Sequence, residues 1–199
     1  MPENSTSSHC PLIPLPEVLP PAHAADCREC VAAGLHTRIV WGEGNPNANI
    51  MLLLDNPGAR EDREGNPYVC GTRDTLLAGL AEAGIGREDV FVTYLLKRRP
   101  IRSYDKPLAR KLCMRHLQDQ LAGMKPHLLF GFGNVVAQAL LDSEEAEVKS
   151  LRGRWHDYAG VEGVGFSYHP LAVRRRPNLR RLFLEDLRML AERAYGYLD

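Results

Sequence analysis

Long hydrophobic runs are missing from this 199-residue chain: no stretch approaches the roughly 18–20 apolar residues that a membrane span needs. No charged segment followed by an apolar stretch opens it, so no secretory leader is expected. An excess of charge of either sign is missing too. Lys and Arg total 25 and Asp and Glu total 25, so the bulk balance points to no class of partner. Cysteine is scarce and odd in number, five in all, which excludes an ordinary disulfide scaffold. Reduced or metal-bound thiols in a cytoplasmic protein are the simpler expectation. No internal repeat is visible. The length suits one domain with a proper core and an appended tail.

What is present is an alternation of strands and helices. Residues 50–54, Ile-Met-Leu-Leu-Leu, read as a buried strand that ends in the turn Asp55-Asn56-Pro57-Gly58. Residues 89–96, 127–130 and 164–168 read as three more strands, and residues 38–49 as a strand or extended entry. Helices are expected over 72–84, 107–123, 134–141 and 182–198, with Gly84 at one helix end and Pro107 at the first turn of another. The pattern predicts an α/β fold: a three-layer α/β/α arrangement around a central, mostly parallel four-stranded sheet. Residues 1–25 carry six prolines and read as an extended, partly disordered arm, with the folded domain over 26–199.

In such a sheet, ligands bind beyond the carboxyl ends of the strands. Asp55 and Asn56 follow the first strand, the basic stretch from Lys97 to Arg102 follows the second, and His169 follows the last. Between 97 and 115 there are eight basic residues and one acidic one, and Arg174, Arg175, Arg176, Arg180 and Arg181 follow His169 with no acid until Glu185. With parallel strands these loops converge on one edge, a basic rim around a small pocket that also holds Tyr68. A basic rim suits the phosphates of a nucleic acid. The glycines of Gly131-Phe-Gly133 are expected to serve close helix–strand packing rather than a phosphate. Cys27-Arg-Glu-Cys30 places two thiols within reach of one metal; half a metal site is favoured over a redox pair or two unrelated thiols.

The ordered set of motifs resembles the uracil-DNA glycosylase superfamily, closest to its family 4, the iron–sulfur type, over roughly residues 27–190. The set comprises Cys27-x-x-Cys30, a strand ending in Pro57-Gly58, Gly65-Asn-Pro-Tyr68-Val-x-Gly71, Lys97-x-Arg99-Pro100, Cys113 on a helix, Leu151-Arg-Gly153 and Tyr168-His169-Pro170. The resemblance implies a hydrolase that removes uracil, or a related deaminated base, from DNA in base excision repair. Catalytic roles fall to Asp55, Asn56 and His169, and base contacts to Tyr68 and Tyr94. DNA contacts fall to Lys97, Arg99, Leu171, Arg174 and Arg175. The alternative is a catalytically inactive nucleic-acid-binding relative on the same fold.

Several positions depart from the family pattern, among them Tyr68, where the family has a stacking phenylalanine. The first motif is Leu-Asp55-Asn56-Pro-Gly where family 4 has Gly-Glu-Ala-Pro-Gly, so the acidic position is kept and the asparagine matches the mismatch-specific and single-strand-selective families. Tyr94 stands where family 4 has an asparagine that reads the uracil edge. Arg98 stands at the usual third cysteine, and an arginine, always protonated, cannot ligate a cation. A 4Fe–4S cluster would then rest on Cys27, Cys30 and Cys113, with Cys10 as the candidate fourth ligand. Three thiols with an external ligand, zinc, or no metal are the alternatives. DNA is the expected partner, with no membrane, and a monomer is expected.

Overall fold

The computed structural model describes residues 15–62 and 71–196. Tyr68, Cys10 and Cys70 lie outside them. Chain order gives β1 (Glu17–Val18), α1 (Ala22–Ala25), α2 (Glu29–Ala32), β2 (Gly42–Gly44), β3 (Ile50–Leu54) and α3 (Thr72–Glu82). There follow β4 (Val90–Tyr94), α4 (Lys106–Met124), β5 (Leu128–Phe132), α5 (Asn134–Leu141), α6 (Val148–Leu151), β6 (Gly163–Ser167), α7 (Pro170–Arg175) and α8 (Arg180–Tyr195). A single 3₁₀ turn, Pro177–Leu179, joins the last two helices.

The strands form one sheet in the order β1-β2-β4-β3-β5-β6. β4, β3, β5 and β6 are mutually parallel, and they are the four strands expected from the sequence. β1 and β2 add an antiparallel edge beyond them. The class is therefore as expected, with six strands rather than four. The two extra strands are short, and β2 is Gly-Glu-Gly, a composition that carries no strand signal. Residues 15–25 pack on this edge: Leu15 is buried and Glu17 pairs with Glu43.

Period-2 alternation divides each central strand between two cores. Ile50, Leu52, Leu54, Val90, Val92, Tyr94, Phe130 and Phe132 pack toward α3 and α8, against Leu76, Leu80, Phe183 and Leu187. Met51, Leu53, Phe91, Leu129, Val164 and Phe166 pack toward α4 and α5, against Leu117, Leu121, Val136 and Leu140. A smaller third cluster joins Cys30, Leu35, Leu96, Ala109 and Cys113. The helix starts follow local rules. Asp105 caps α4 by accepting from the Leu108 amide, with Pro107 in the first turn. Gly131 does serve packing, since a Cβ there would meet Val136 and Phe166.

Candidate active site

The parallel ladder carries Asp55 to the sheet's carboxyl edge. Leu54 O and Asp55 O accept from the Leu95 and Leu96 amides, so β3 is held against β4 up to the turn. Beyond it, Arg38 ties down residues 61–62 by donating to Glu61 O and Asp62 O while pairing with Glu17. On the other side, β6 ends at Ser167 and α7 begins at Pro170 with His169 as its cap. Asp55, Asn56, Tyr94, His169, Leu171 and Arg174 meet around one pocket of ≈ 420 Å³, together with Arg73 and Glu61.

His169 has a defined tautomer. Its Nδ1 accepts the Leu171 amide at 3.2 Å, the capping bond of α7, so the ring proton sits on Nε2. That Nε2 is 3.3 Å from Asp55 Oδ1, yet it is buried and makes no hydrogen bond of good angle with the described residues. Holding the loop and presenting a proton to the pocket are thus two edges of one ring. Gly133, at φ +90, lets the loop after β5 close against this histidine, since a Cβ there would lie 3.2 Å from His169 Cβ. Burial works to raise the Asp55 carboxyl, but the close approach of His169 with its charge, and the Asn56 amide, hold it below the ordinary carboxylate value. It is an anion at neutral pH. Asn56 donates from Nδ2 to Pro57 O at 3.0 Å, which fixes the plane of its amide at the pocket wall.

The support under His169 is a buried ion pair that sequence reasoning passed over. Asp186 on α8 accepts from Ser167 Oγ, two residues before His169, at 2.6 Å and from Arg152 Nε at 3.0 Å. Asp186 interrupts the apolar stripe Phe183, Leu187 and Leu190, and that interruption is the signal. Arg73 gives the same kind of signal, since it shares a helical face with Leu76, Leu77 and Leu80.

The loop after β4 does not join the pocket rim, and this corrects the expected convergence. Lys97 is fully buried on the α4 side of the sheet, donating to Thr93 Oγ1 and Tyr94 O at 2.7 Å each and to Gln120 Oε1, and it lies over the Trp41 ring. Burial pushes its ammonium down to about 7. A side chain so enclosed cannot grip a phosphate, so Lys97 is a structural residue. Arg99 pairs with Asp62 at 3.7 Å, and neither Arg99 nor Arg175 lines the pocket. Arg174 and Leu171 do.

The basic loop runs instead to the cysteines. Cys30 Sγ and Cys113 Sγ are 3.1 Å apart, and Cys27 is free beside them. Hydrogen bonding between the pair pushes the Cys30 thiol up and draws the Cys113 thiol down to about 7, with Lys97 and Arg98 adding positive charge. Arg98 enters this group from the loop after β4, donating to Cys27 O at 3.0 Å and to Thr37 O, with its Nε buried and without a hydrogen-bond partner among the described residues. Three thiols and a guanidinium do not fit a four-thiolate cluster. Among the described residues no three or more of His, Cys, Asp and Glu are grouped so as to hold a metal ion. The named fourth ligand, Cys10, is outside those residues.

A family model, the uracil DNA glycosylase superfamily, matches residues 41–189. The chain belongs to this superfamily. Its relatives include the type-4 uracil-DNA glycosylase of Archaeoglobus fulgidus, 33% identical over 176 residues, covering 83% of this chain and 87% of that protein. The type-4 enzyme of Saccharolobus solfataricus is 33% identical over 83% of this chain and 81% of its own length. That of Thermotoga maritima is 32% identical over 80% and 86%. Asp55 and His169, from the first and last motifs, stand side by side at the pocket, where Tyr94 also lies, and Lys97 of the middle motif does not reach it.

Proposed function

We propose that this chain is a DNA glycosylase that hydrolyses the N-glycosidic bond of uracil, or of a related deaminated base, in base excision repair. The observation that carries the reading is the His169 Nε2 proton, fixed by the capping bond at Nδ1, unsatisfied, and set beside an ionised Asp55 at one pocket.

The target nucleotide leaves the stack, at a cost of about a few kcal/mol, and enters the pocket. Leu171, at the start of α7, fills the space left in the duplex, and Arg174 with Arg175 holds phosphates on that flank. Tyr68 supplies the stacking face. The bond between C1′ and the base nitrogen breaks with its electron pair moving onto the base. His169 Nε2–H donates a hydrogen bond to the base oxygen where that charge develops. The Asp55 carboxylate stabilises the cationic sugar. A water held by Asn56 adds its oxygen to C1′ and gives up a proton through Asp55 to solvent, while the departed base takes up a proton. None of Cys27, Cys30 and Cys113 lines the pocket. No helix among the described residues is long and apolar enough to cross a membrane. A monomer working on cytoplasmic DNA is the accompanying proposal.

The test incubates the protein with oligonucleotides carrying uracil, hypoxanthine or xanthine and then cleaves abasic sites with alkali. Strand breakage on the uracil strand, or on one of the other two, is expected. No breakage on any of them, with salt-sensitive DNA binding retained, replaces this reading with that of an inactive DNA-binding relative.

A further inference from the structure

Three polar side chains at the back of the pocket, Arg73 and Tyr94 buried and Glu43 half-buried, take no part in the mechanism above. Arg73, at the start of α3, is 4% exposed, and Tyr94, at the end of β4, is 1% exposed; both line the pocket. Arg73 Nη2 donates to Glu43 Oε1 and to Tyr94 OH, Tyr94 OH lies 3.3 Å from Glu43 Oε1, and the guanidinium sits 5.9 Å from the Tyr94 ring centre. Glu43 reaches this place because β2 lies flat on β4. It is flanked by Gly42 and Gly44, and a Cβ on either would run into Phe91 or Val90. With Glu43 opposite Val92, its side chain shares the sheet face of Val92 and Tyr94.

The guanidinium is left incomplete. Nε and Nη1 are buried and have no hydrogen-bond partner among the described residues. Buried polar atoms are rarely left so, and an unmet donor beside a cavity marks a place for an arriving acceptor. Burial alone would lower the Arg73 pKa, but Tyr94 and Glu43 raise it beyond its ordinary value, so the charge stays on. Burial raises the Glu43 carboxyl against the pull of Arg73.

We propose that Arg73, held by Glu43 and Tyr94, reads the far edge of the flipped base and selects a carbonyl oxygen there over an amino group. The inference rests on the glycosylase reading for its ligand. With the glycosidic nitrogen at Asp55 and His169, the opposite edge of a pyrimidine, its position 4, points to Arg73. A guanidinium only donates. It satisfies the oxygen that deamination creates and leaves the amino group of cytosine without an acceptor. The substrate class is deaminated bases, and the selecting charge comes from α3 rather than from the strand end.

The experiment measures binding rather than turnover. Oligonucleotides carry uracil or cytosine on a 2′-fluoro sugar that resists cleavage, and a third carries a tetrahydrofuran abasic analogue. The wild-type chain should bind the uracil strand about tenfold or more tighter than the cytosine strand, the worth of one charged hydrogen bond. Arg73→Gln should bring the two within about twofold of each other, Arg73→Lys should keep part of the preference, and abasic-strand affinity should not change. Equal wild-type binding of both strands overturns the proposal, and so does an unchanged ratio in Arg73→Gln. If Arg73→Gln loses abasic binding as well, Tyr94→Phe decides: it keeps the ring and its packing, and an unchanged ratio there overturns the proposal. Absence of excision on every base, with the binding ratio intact, removes the glycosylase reading and leaves the base-reading role standing.

Discussion

The base pocket and the cysteine group treat buried charge in opposite ways. At the pocket, donors are fixed and left open: His169 Nε2 and two nitrogens of Arg73 are buried without hydrogen-bond partners among the described residues. At the cysteines, most donors turn inward: Arg98 donates to the carbonyls of Cys27 and Thr37, with only its Nε unmet among the described residues, and Lys97 donates to Thr93, Tyr94 and Gln120. Unmet donors are what a site for a ligand requires, whereas satisfied ones join loops together. The first region is organised for chemistry and the second for cohesion, although both descend from loops at the carboxyl edge of the same sheet.

The sharpest way to break this comparison is to cross the two readouts. His169→Ala should lower excision by about 10²–10³, as expected for one donor aimed at developing charge, with a small change in melting temperature. A large fall in stability with modest loss of rate would make His169 chiefly a cap for α7. Arg98→Met should do the reverse. It strips donors from two backbone carbonyls and should cost about 1–3 kcal/mol of unfolding free energy, read from the shift in denaturant midpoint, with excision within about twofold of wild type. Arg98→Cys sharpens the same point: reconstituted with iron and sulfide, it should become brown where the parent chain stays colourless.

The four parallel strands and most helix positions were legible because each strand is a short apolar run closed by a turn, and each helix carries an apolar stripe. The placement of Asp55, Asn56 and His169 at one edge was legible for a related reason, since polar residues directly after parallel strands have only that edge to occupy. Lys97 misled because a basic run reads as a solvated face. The side-chain direction at 97 is set by Thr93 and Gln120, one on the strand and one on a helix 23 residues away, and no local pattern shows that. Glu43 was silent for a similar reason: β2 exists only because β4 offers it an edge.

Lys97 gives a pH test of cohesion at the cysteine end. Its folded value, about 7, lies below the ordinary 10.5. Between those values the unfolded chain holds a proton that the folded chain has lost, so stability should rise with pH through that window, by at most ~1.4 kcal/mol per unit. Lys97→Met should flatten that part of the profile. A Lys97→Met profile parallel to wild type would mean that the three acceptors and the Trp41 ring keep the ammonium charged against its burial.

The smallest expected effect tests where the pocket ends and the DNA grip begins. Arg174 is exposed, lines the pocket, and has its guanidinium 3.2 Å from where a Cβ on Gly71 would stand, so it sits at the foot of α3 and the start of α7 together. If it contacts one phosphate, Arg174→Ala should weaken DNA binding a few-fold and reduce the slope of log affinity against log salt by about 0.7–0.9. The loss should be equal on uracil, cytosine and abasic strands, because a phosphate contact carries no base information. Arg73→Gln should show the opposite signature, a change in base preference with no change in salt slope. If Arg174→Ala alters base preference instead, the reading edge extends across the pocket mouth to α7, and the separation of gripping from reading fails at that residue.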